Sequence, residues 1–341
     1  MTTQGIEVLD AGILTHIQDG GRVGQLPQGI APSGAQDYFS LRLANLLVGN
    51  APTPAPLSSK DPGPAGLELT AKGPTLRFDT DAIVAVTGAP AEITLNGRRR
   101  PHNASFLVSA GDVLAIGAIT GGMRSYLAVQ GGIRNEPYIG SRSTHLFAQF
   151  GGIGGRALQA GDQLPLADEP LRYESVGSIV GEEAARYSLE NHVLHVTAGP
   201  QDHLFTEESI DAFFGEPWTL GALNSRMGFR FAGPKLSFLP RPNYVAEAAG
   251  TDPSNIVDDI IPIGGIQCPS GSEAIVMGVE NPTVGGFAKI ATVISADLGR
   301  VGQLSPGDTV RFERVSTEQA LELLAWQLHG DHIVQPQSAV A

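Results

Sequence analysis

The chain has 341 residues, enough for about two domains, with 43 glycines and 24 prolines spread evenly along it. Turn formers at even spacing among apolar runs predict a mainly β chain with a few helices and argue against a helical bundle, a coiled coil or a doubly wound fold. A hydrophobic content of 42% excludes disorder, and a formal charge of −13 with little basic clustering excludes a nucleic-acid or anionic-membrane surface.

In chain order, three helices are expected. Ser33-Gly34-Ala35-Gln36 reads as a capping box ahead of Tyr38, Phe39, Leu41, Leu43, Leu46 and Leu47, with Gly49 as the stop. Residues 50–66 follow as a proline-rich surface loop. Thr206-Glu207-Glu208 opens a short helix through Ile210, Phe213 and Phe214 to Gly215. Ser316-Thr317-Glu318-Gln319 opens a third, carrying Leu321, Leu324, Ala325 and Leu328 and ending at Gly330. The remainder reads as short strands, among them Ile83–Val86, Ser125–Val129, Val193–Val196 and Ala274–Met277. Residues 331–341 read as a frayed tail.

Internal similarity suggests two related β domains. Gly73-Pro-Thr-Leu-Arg-Phe78 returns as Gly233-Pro-Lys-Leu-Ser-Phe238, and Gly-Asp turns stand at 111–112, 161–162 and 307–308. The run from Asp19 to Leu26 matches the run from Asp297 to Leu304 at seven of eight positions. A break in the strand pattern at 170–192 divides the chain into an N-terminal domain, 1–175, a C-terminal domain, 190–315, and a terminal helix and tail, 316–341.

Cys268 is the one cysteine, which excludes an internal disulfide and fits a reducing, cytoplasmic setting. No secretory signal is visible, and no apolar run approaches the ~20 residues of a membrane span. There is no P-loop. Gly152-Ile153-Gly154-Gly155-Arg156-Ala157 matches a dinucleotide fingerprint only formally, because no helix pattern follows it. The histidines, His192 and His195 included, lack a metal-ligand spacing on a helix, so no metal is expected. Polar residues embedded in glycine-rich loops are the positive signals: Asp19 and Arg22; Ser33, Gln36 and Asp37; Arg142 within 140–144; Gln201 within 199–202; Gln267; and Thr283, Gly285, Gly286 and Lys289. Glycine lets backbone approach a ligand closely at such loops.

These residues carry a family resemblance. The run from Val8 to Gly12, then Gln18-Asp19, Ser33-Gly34-Ala35-Gln36-Asp37 and the stretch from Leu41 to Asn50 resemble the allophanate hydrolase subunit 2, or KipA, family. Tyr126 to Val129 with Gly131-Gly132-Ile133, Gly140 to Thr144, Gly199-Pro200-Gln201-Asp202, Arg226 to Arg230, Gly265-Ile266-Gln267 and Gly285 to Leu298 continue it, so that it spans about residues 5–315. The resemblance implies two cyclophilin-like β-barrel subdomains and a KipI-type (allophanate hydrolase subunit 1-like) partner. The family's usual Asp-Arg-Met-Gly-Tyr is here Ser225-Arg226-Met227-Gly228-Phe229, and its usual Tyr before Pro-Lys is here Phe287.

Three functions follow from the resemblance. The first is a subunit of an ATP-dependent 5-oxoprolinase that opens 5-oxo-L-proline to L-glutamate with KipI-type and LamB/YcsF-type partners, ATP acting through the assembled complex. The second is a carboxyltransferase component of a biotin-dependent urea or amide carboxylase, with biotin supplied by another chain. The third is a non-catalytic antagonist of a KipI-type kinase inhibitor. All involve heteromeric assembly, and the chain alone is expected to be inactive. For an amide or lactam substrate, Lys289, Arg22 and the Gly285–Gly286 amides are the expected donors to a developing oxyanion, and Asp19 or Asp37 the expected base. Ser33, Arg142, Gln201, Gln267 and Thr283 are expected to bind substrate, with Gln267 reading an amide edge.

Overall fold

The computed structural model describes residues 5–51, 59–190, 192–329 and 334–335. Part of the expected 50–66 loop, Gly330 and most of the 331–341 tail lie outside them. Strand accounts for 36% and helix for 20%, so the chain is mainly β. It divides into two compact units: Met1–Val23 with Ser33–Leu189 and Trp326–Ala341, and Gly24–Pro32 with Glu190–Ala325. No helix among the described residues is long and apolar enough to cross a membrane.

Among the described residues, the first unit has a two-stranded ribbon, Ile179–Val180 with Val334–Gln335, and two large antiparallel sheets. One runs in the order Gln163–Pro165, Gly5–Asp10, Thr75–Phe78, Val113–Ile119, Ala91–Leu95, Arg98–Arg100. The other runs Leu14–Gln18, Gly66–Thr70, Arg124–Val129, Ala82–Gly88, Ser105–Val108. Both contribute to a single core, in which Ile6, Val8, Leu76 and Phe78 meet Ile17, Leu67, Val84 and Leu127. The other face of the second sheet is covered by the helix Tyr38–Leu47, whose Phe39, Leu43, Ala44 and Leu47 pack with Ile83, Ala85 and Ala128. Ala82–Gly88 is therefore buried at every position, which explains why it reads as a continuous apolar run rather than an alternating one.

The second unit holds a closed seven-stranded barrel. Its order is Val193–Ala198, Lys289–Val293, Gly265–Gln267, Ala274–Met277, Gly228–Ala232, Trp218–Leu220, Thr309–Arg314, and the last strand pairs in parallel with the first. Aromatic rings fill the interior. Phe213, from the helix Glu207–Gly215, stacks on Phe312 with centroids 4.8 Å apart, and the Trp218 indole N–H donates to the Phe213 carbonyl at 3.0 Å. Cys268 lies in this core at 0% exposure, and burial pushes its thiol up, so it packs as a small apolar side chain. A separate two-stranded ribbon, Asn255–Ile260 with Val284–Phe287, completes the second unit's sheets among the described residues.

The local signals fare unequally. Thr206 caps Glu207–Gly215 through the Ser209 N–H. Ser316 and Gln319 form a reciprocal box ahead of Thr317–Leu328, with bonds of 2.8 and 3.2 Å. Ser33, by contrast, is not a helix cap: it sits at φ +58° and its hydroxyl donates to the Thr144 carbonyl at 2.8 Å. Asp37 caps Tyr38–Leu47 instead, accepting from the Ser40 N–H at 3.1 Å. The intervening amides are used elsewhere, Gln36 N–H on Glu68 and Asp37 N–H on the Tyr126 hydroxyl, so the first turn cannot begin at Ser33.

The three Gly-Asp turns share one geometry. Gly111, Gly161 and Gly307 have φ of 89°, 91° and 96°, and each following aspartate accepts from the N–H three residues earlier at 2.7–2.8 Å. The eight-residue repeat behaves differently. Its first copy is a loop, whereas the second contains the helix Leu298–Gln303. The one mismatch, Gly20 against Leu298, has a steric reason, since a Cβ on Gly20 would lie 2.8 Å from the Pro62 carbonyl oxygen.

In the second copy, buried Asp297 accepts from both the His195 N–H and its ring Nδ1 at 2.8 Å, while Arg300 lies 3.5 Å from its other oxygen. The hydrogen bond to Asp297 holds the His195 imidazole above its usual 6.5, against desolvation and the Arg300 charge, with Glu313 adding to the rise. A raised folded-state pKa gives stability that is fully present below pH 6.5 and lost as pH rises through the folded value. The stability difference between the wild type and His195→Gln is expected to be largest near pH 6 and to shrink above that window, as denaturant melts across pH would read.

Candidate functional site

The expected site residues fall in both units. In the first, Asp19 is fully buried and its carboxylate is fully used. Oδ1 accepts from the Gly21 N–H at 2.8 Å, the Ser141 hydroxyl at 2.7 Å and the Ser143 hydroxyl, while Oδ2 accepts from the Arg142 N–H at 2.6 Å. Arg22 is also buried: its Nε donates to the Tyr138 carbonyl, Nη2 to the Ser143 carbonyl, and its guanidinium lies 4.9 Å from the centre of the Phe150 ring. These two residues and Ser33 therefore fasten the 138–145 loop to the segment after Leu14–Gln18. Arg142 lines a cavity of about 230 Å³ with Asp61 and Arg134. Asp37 is engaged as the helix cap and also accepts from the Ser40 and Ser188 hydroxyls. Both expected bases, Asp19 and Asp37, are thus engaged as hydrogen-bond acceptors within the first unit.

Beside them is a buried polar network that the sequence does not reveal. Glu68 accepts from the Tyr126 hydroxyl and the Gln36 N–H, both at 2.8 Å, and lies 3.4 Å from Arg124 Nε and 3.7 Å from His16 Nε2. Burial and the Glu68 charge push the Tyr126 phenol well above its usual 10, keeping it a neutral donor.

In the second unit, Gln201, Gln267, Gly285 and Lys289 come together, whereas Gly286 faces Asp258 and Ile256 instead. Lys289 begins a barrel strand, and its side chain is 0% exposed. Its N–H donates to Gln201 Oε1 at 3.2 Å. Since a backbone N–H can only donate, this bond fixes which end of the amide faces it and turns Nε2 outward. Gln201 Nε2 then donates to Asp259 Oδ2 at 3.0 Å, and Lys289 Nζ lies 3.1 Å from the same oxygen. Two donors thus converge on one acceptor position. Both donors hold the Asp259 carboxyl below the usual carboxylate range, Gln201 contributing most.

Gln267, the register partner of Lys289 on the next strand, is 5% exposed, and its Nε2 has no hydrogen-bond partner among the described residues. A Cβ on Gly285 would lie 3.2 Å from that nitrogen and 2.7 Å from Ile261 Cδ1, so glycine lets the ribbon pass directly over the amide. Gln267 also lines a cavity of about 400 Å³ with Ser225, Arg230, Met277 and Phe287. Thr283 gives its carbonyl to the Ile261 N–H at the ribbon's end and is not a lining residue of that cavity.

Gly199 is as constrained. Its missing side chain would stand 2.3 Å from the Lys289 carbonyl oxygen and 2.6 Å from the Ala291 nitrogen. These are backbone atoms, so Gly199→Ala must move the loop that carries Gln201. A loss of about 2–3 kcal/mol is expected, of the size of an overpacked core substitution; urea melts would measure it.

The carboxyltransferase domain family, subdomains A and B, matches residues 28–314. The chain belongs to this family. It is 36% identical over 328 residues to urea amidolyase of Lachancea kluyveri, a match covering 93% of the chain and 17% of that protein. It is 34% identical over 337 residues to a 5-oxoprolinase component of Escherichia coli, covering 96% of the chain and all of that protein. The crystal structure of Kluyveromyces lactis urea amidolyase superposes with a TM-score of 0.83 at 32% identity, over 99% of this chain and 21% of that one. The chain thus spans about a sixth of the length of the urea amidolyases it matches.

In this carboxyltransferase-domain chain, the second unit's cluster offers donors that a carbonyl oxygen could accept from. Attack on a planar amide, or deprotonation of its nitrogen, builds negative charge on the carbonyl oxygen. Donors 3.0 and 3.1 Å from one oxygen position could hold such charge, and one oxyanion donor contributes about 3–4 kcal/mol to a transition state. Asp259 is not among the residues expected from sequence. Its signal is Asp258-Asp259 standing inside an otherwise apolar run from Ile256 to Pro262. No group of three or more His, Cys, Asp or Glu among the described residues is placed to hold a metal ion.

Proposed function

We propose that the chain is a subunit of an ATP-dependent 5-oxoprolinase, acting on 5-oxo-L-proline in a cytoplasmic complex with KipI-type and LamB/YcsF-type subunits and inactive alone. The observation that carries this reading is the match to the Escherichia coli 5-oxoprolinase component along that protein's whole length. The site supports it chemically. Opening the lactam breaks the ring C–N bond, adds water oxygen to the carbonyl carbon and leaves a proton on nitrogen. Lys289 Nζ and Gln201 Nε2 hold the developing oxyanion, and Gln267 meets a second acceptor of the substrate. ATP, when bound by the assembled complex, supplies the driving force for cleaving a resonance-stabilised amide.

A second reading, a carboxyltransferase component of a biotin-dependent urea carboxylase, is favoured by the urea amidolyase likeness. The same convergent donors and the unpartnered Gln267 amide fit a ureido oxygen, and biotin bound there would bring the carboxyl group. Co-purification with the KipI-type and LamB/YcsF-type subunits and with a biotin-bearing chain, followed by ADP-release assays, separates the readings. Release with 5-oxoproline alone is expected. Avidin-sensitive release with urea would replace the first reading by the second, and a stable complex silent with every substrate would leave a non-catalytic antagonist.

A further inference from the structure

We propose that Asp259 is an internal stand-in for the substrate's oxygen, occupying the position on Lys289 and Gln201 that a ligand's carbonyl must take over. The inference rests on the amide-cleaving or amide-carboxylating reading of this site and adds what fills the site at rest.

The asymmetry of the cluster argues for exchange. The donors are fixed: Lys289 is 0% exposed on a barrel strand, and Gln201 is clamped by the Lys289 N–H. The acceptor is not. The Asp259 side chain is 44% exposed and sits on the two-stranded ribbon, which pairs with no barrel strand and whose register shifts between Asn255 and Asp259. Gly285, the register partner of Asp259, lies over the Gln267 amide. An exposed carboxylate loses little when returned to water, whereas a buried ammonium needs an acceptor in its place. A ligand that enters must therefore bring an oxygen to the position Asp259 leaves, and a second acceptor to satisfy Gln267 Nε2. The ligand class is a planar amide, lactam or ureide that carries a second acceptor oxygen, as the carboxylate of 5-oxo-L-proline does.

Amine labelling tests this on the purified chain, which has four lysines, Lys60, Lys72, Lys235 and Lys289. With an acetylating reagent and mass spectrometry, Lys289 should stay unlabelled in the wild type relative to Lys72. If Asp259 fills the position most of the time, Asp259→Ala should raise Lys289 labelling about ten-fold, the inverse of a resting open fraction near one-tenth, and Asp259→Asn, whose amide oxygen can still sit there, by less. The isosteric Asp259→Asn guards against a folding effect, and thermal melts verify both variants. Millimolar 5-oxo-L-proline should restore protection in the variants. Unchanged Lys289 labelling in the folded variants, or protection by neither 5-oxo-L-proline nor urea, overturns the proposal. Protection by urea and not by 5-oxo-L-proline leaves the stand-in role intact and removes both the lactam as substrate and the need for a second acceptor at Gln267.

Discussion

Asp19→Ala is expected to lower stability by about 3–5 kcal/mol, the cost of stranding several buried donors at once. Four donors end on this carboxylate: the Gly21 and Arg142 N–H groups and the Ser141 and Ser143 hydroxyls. Alanine leaves all four facing a space of a few atoms around a side chain of 0% exposure. Each stranded donor costs about 1–3 kcal/mol, partly relieved if water enters. Asp19→Asn should do no better than halve the loss, because its NH₂ faces donors where the second oxygen accepted. Urea unfolding gives the measurement. A variant that melts like the wild type yet loses all activity in the assembled complex would instead return Asp19 to the role of proton acceptor.

How much of this is readable in the sequence depends on the range of the interaction. Thr206 and Ser316 announce their helices because the cap closes on residues three positions away. The Gly-Asp turns read correctly for the same reason. Ser33 misleads because the box pattern is local, whereas the bonds that decide the matter come from Glu68, Tyr126 and Thr144 on distant segments. Asp19 stands out as a functional residue through its glycine-rich setting and family motif. Those signals flag constraint without saying whether the constraint is chemical or structural, and here four donors use up the acceptor. Gln201, Gln267 and Lys289 stand out on the same grounds and do converge. What the sequence cannot supply is the common acceptor of Gln201 and Lys289, since Asp259 becomes their partner only when the ribbon is laid beside the barrel. The repeat from Asp19 to Leu26 makes the same point: seven identical residues form a loop once and include a helix once, and Gly20 against Leu298 marks where the surroundings differ.

Lys289→Met should reduce turnover by about 10²–10³-fold with the fold intact, the effect of deleting one oxyanion donor. Methionine replaces most of the lysine stem, so the packing around this fully buried side chain survives. The partner left behind, Asp259, is 44% exposed and keeps the Gln201 amide, so no charge is stranded in the interior. Removing the ammonium also removes the cost of burying it, and stability should hold or rise, the opposite of Asp19→Ala. The donor matters most when charge has moved onto oxygen, so kcat should fall far more than KM rises. Lys289→Arg is expected to restore little, because a planar, wider guanidinium cannot take the place of a fully buried Nζ at the same point. The assay is ADP release by the assembled complex with 5-oxo-L-proline, alongside a melt of each variant. A kcat within about three-fold of the wild type, well below the contribution of one such donor, would show that the oxyanion is held elsewhere.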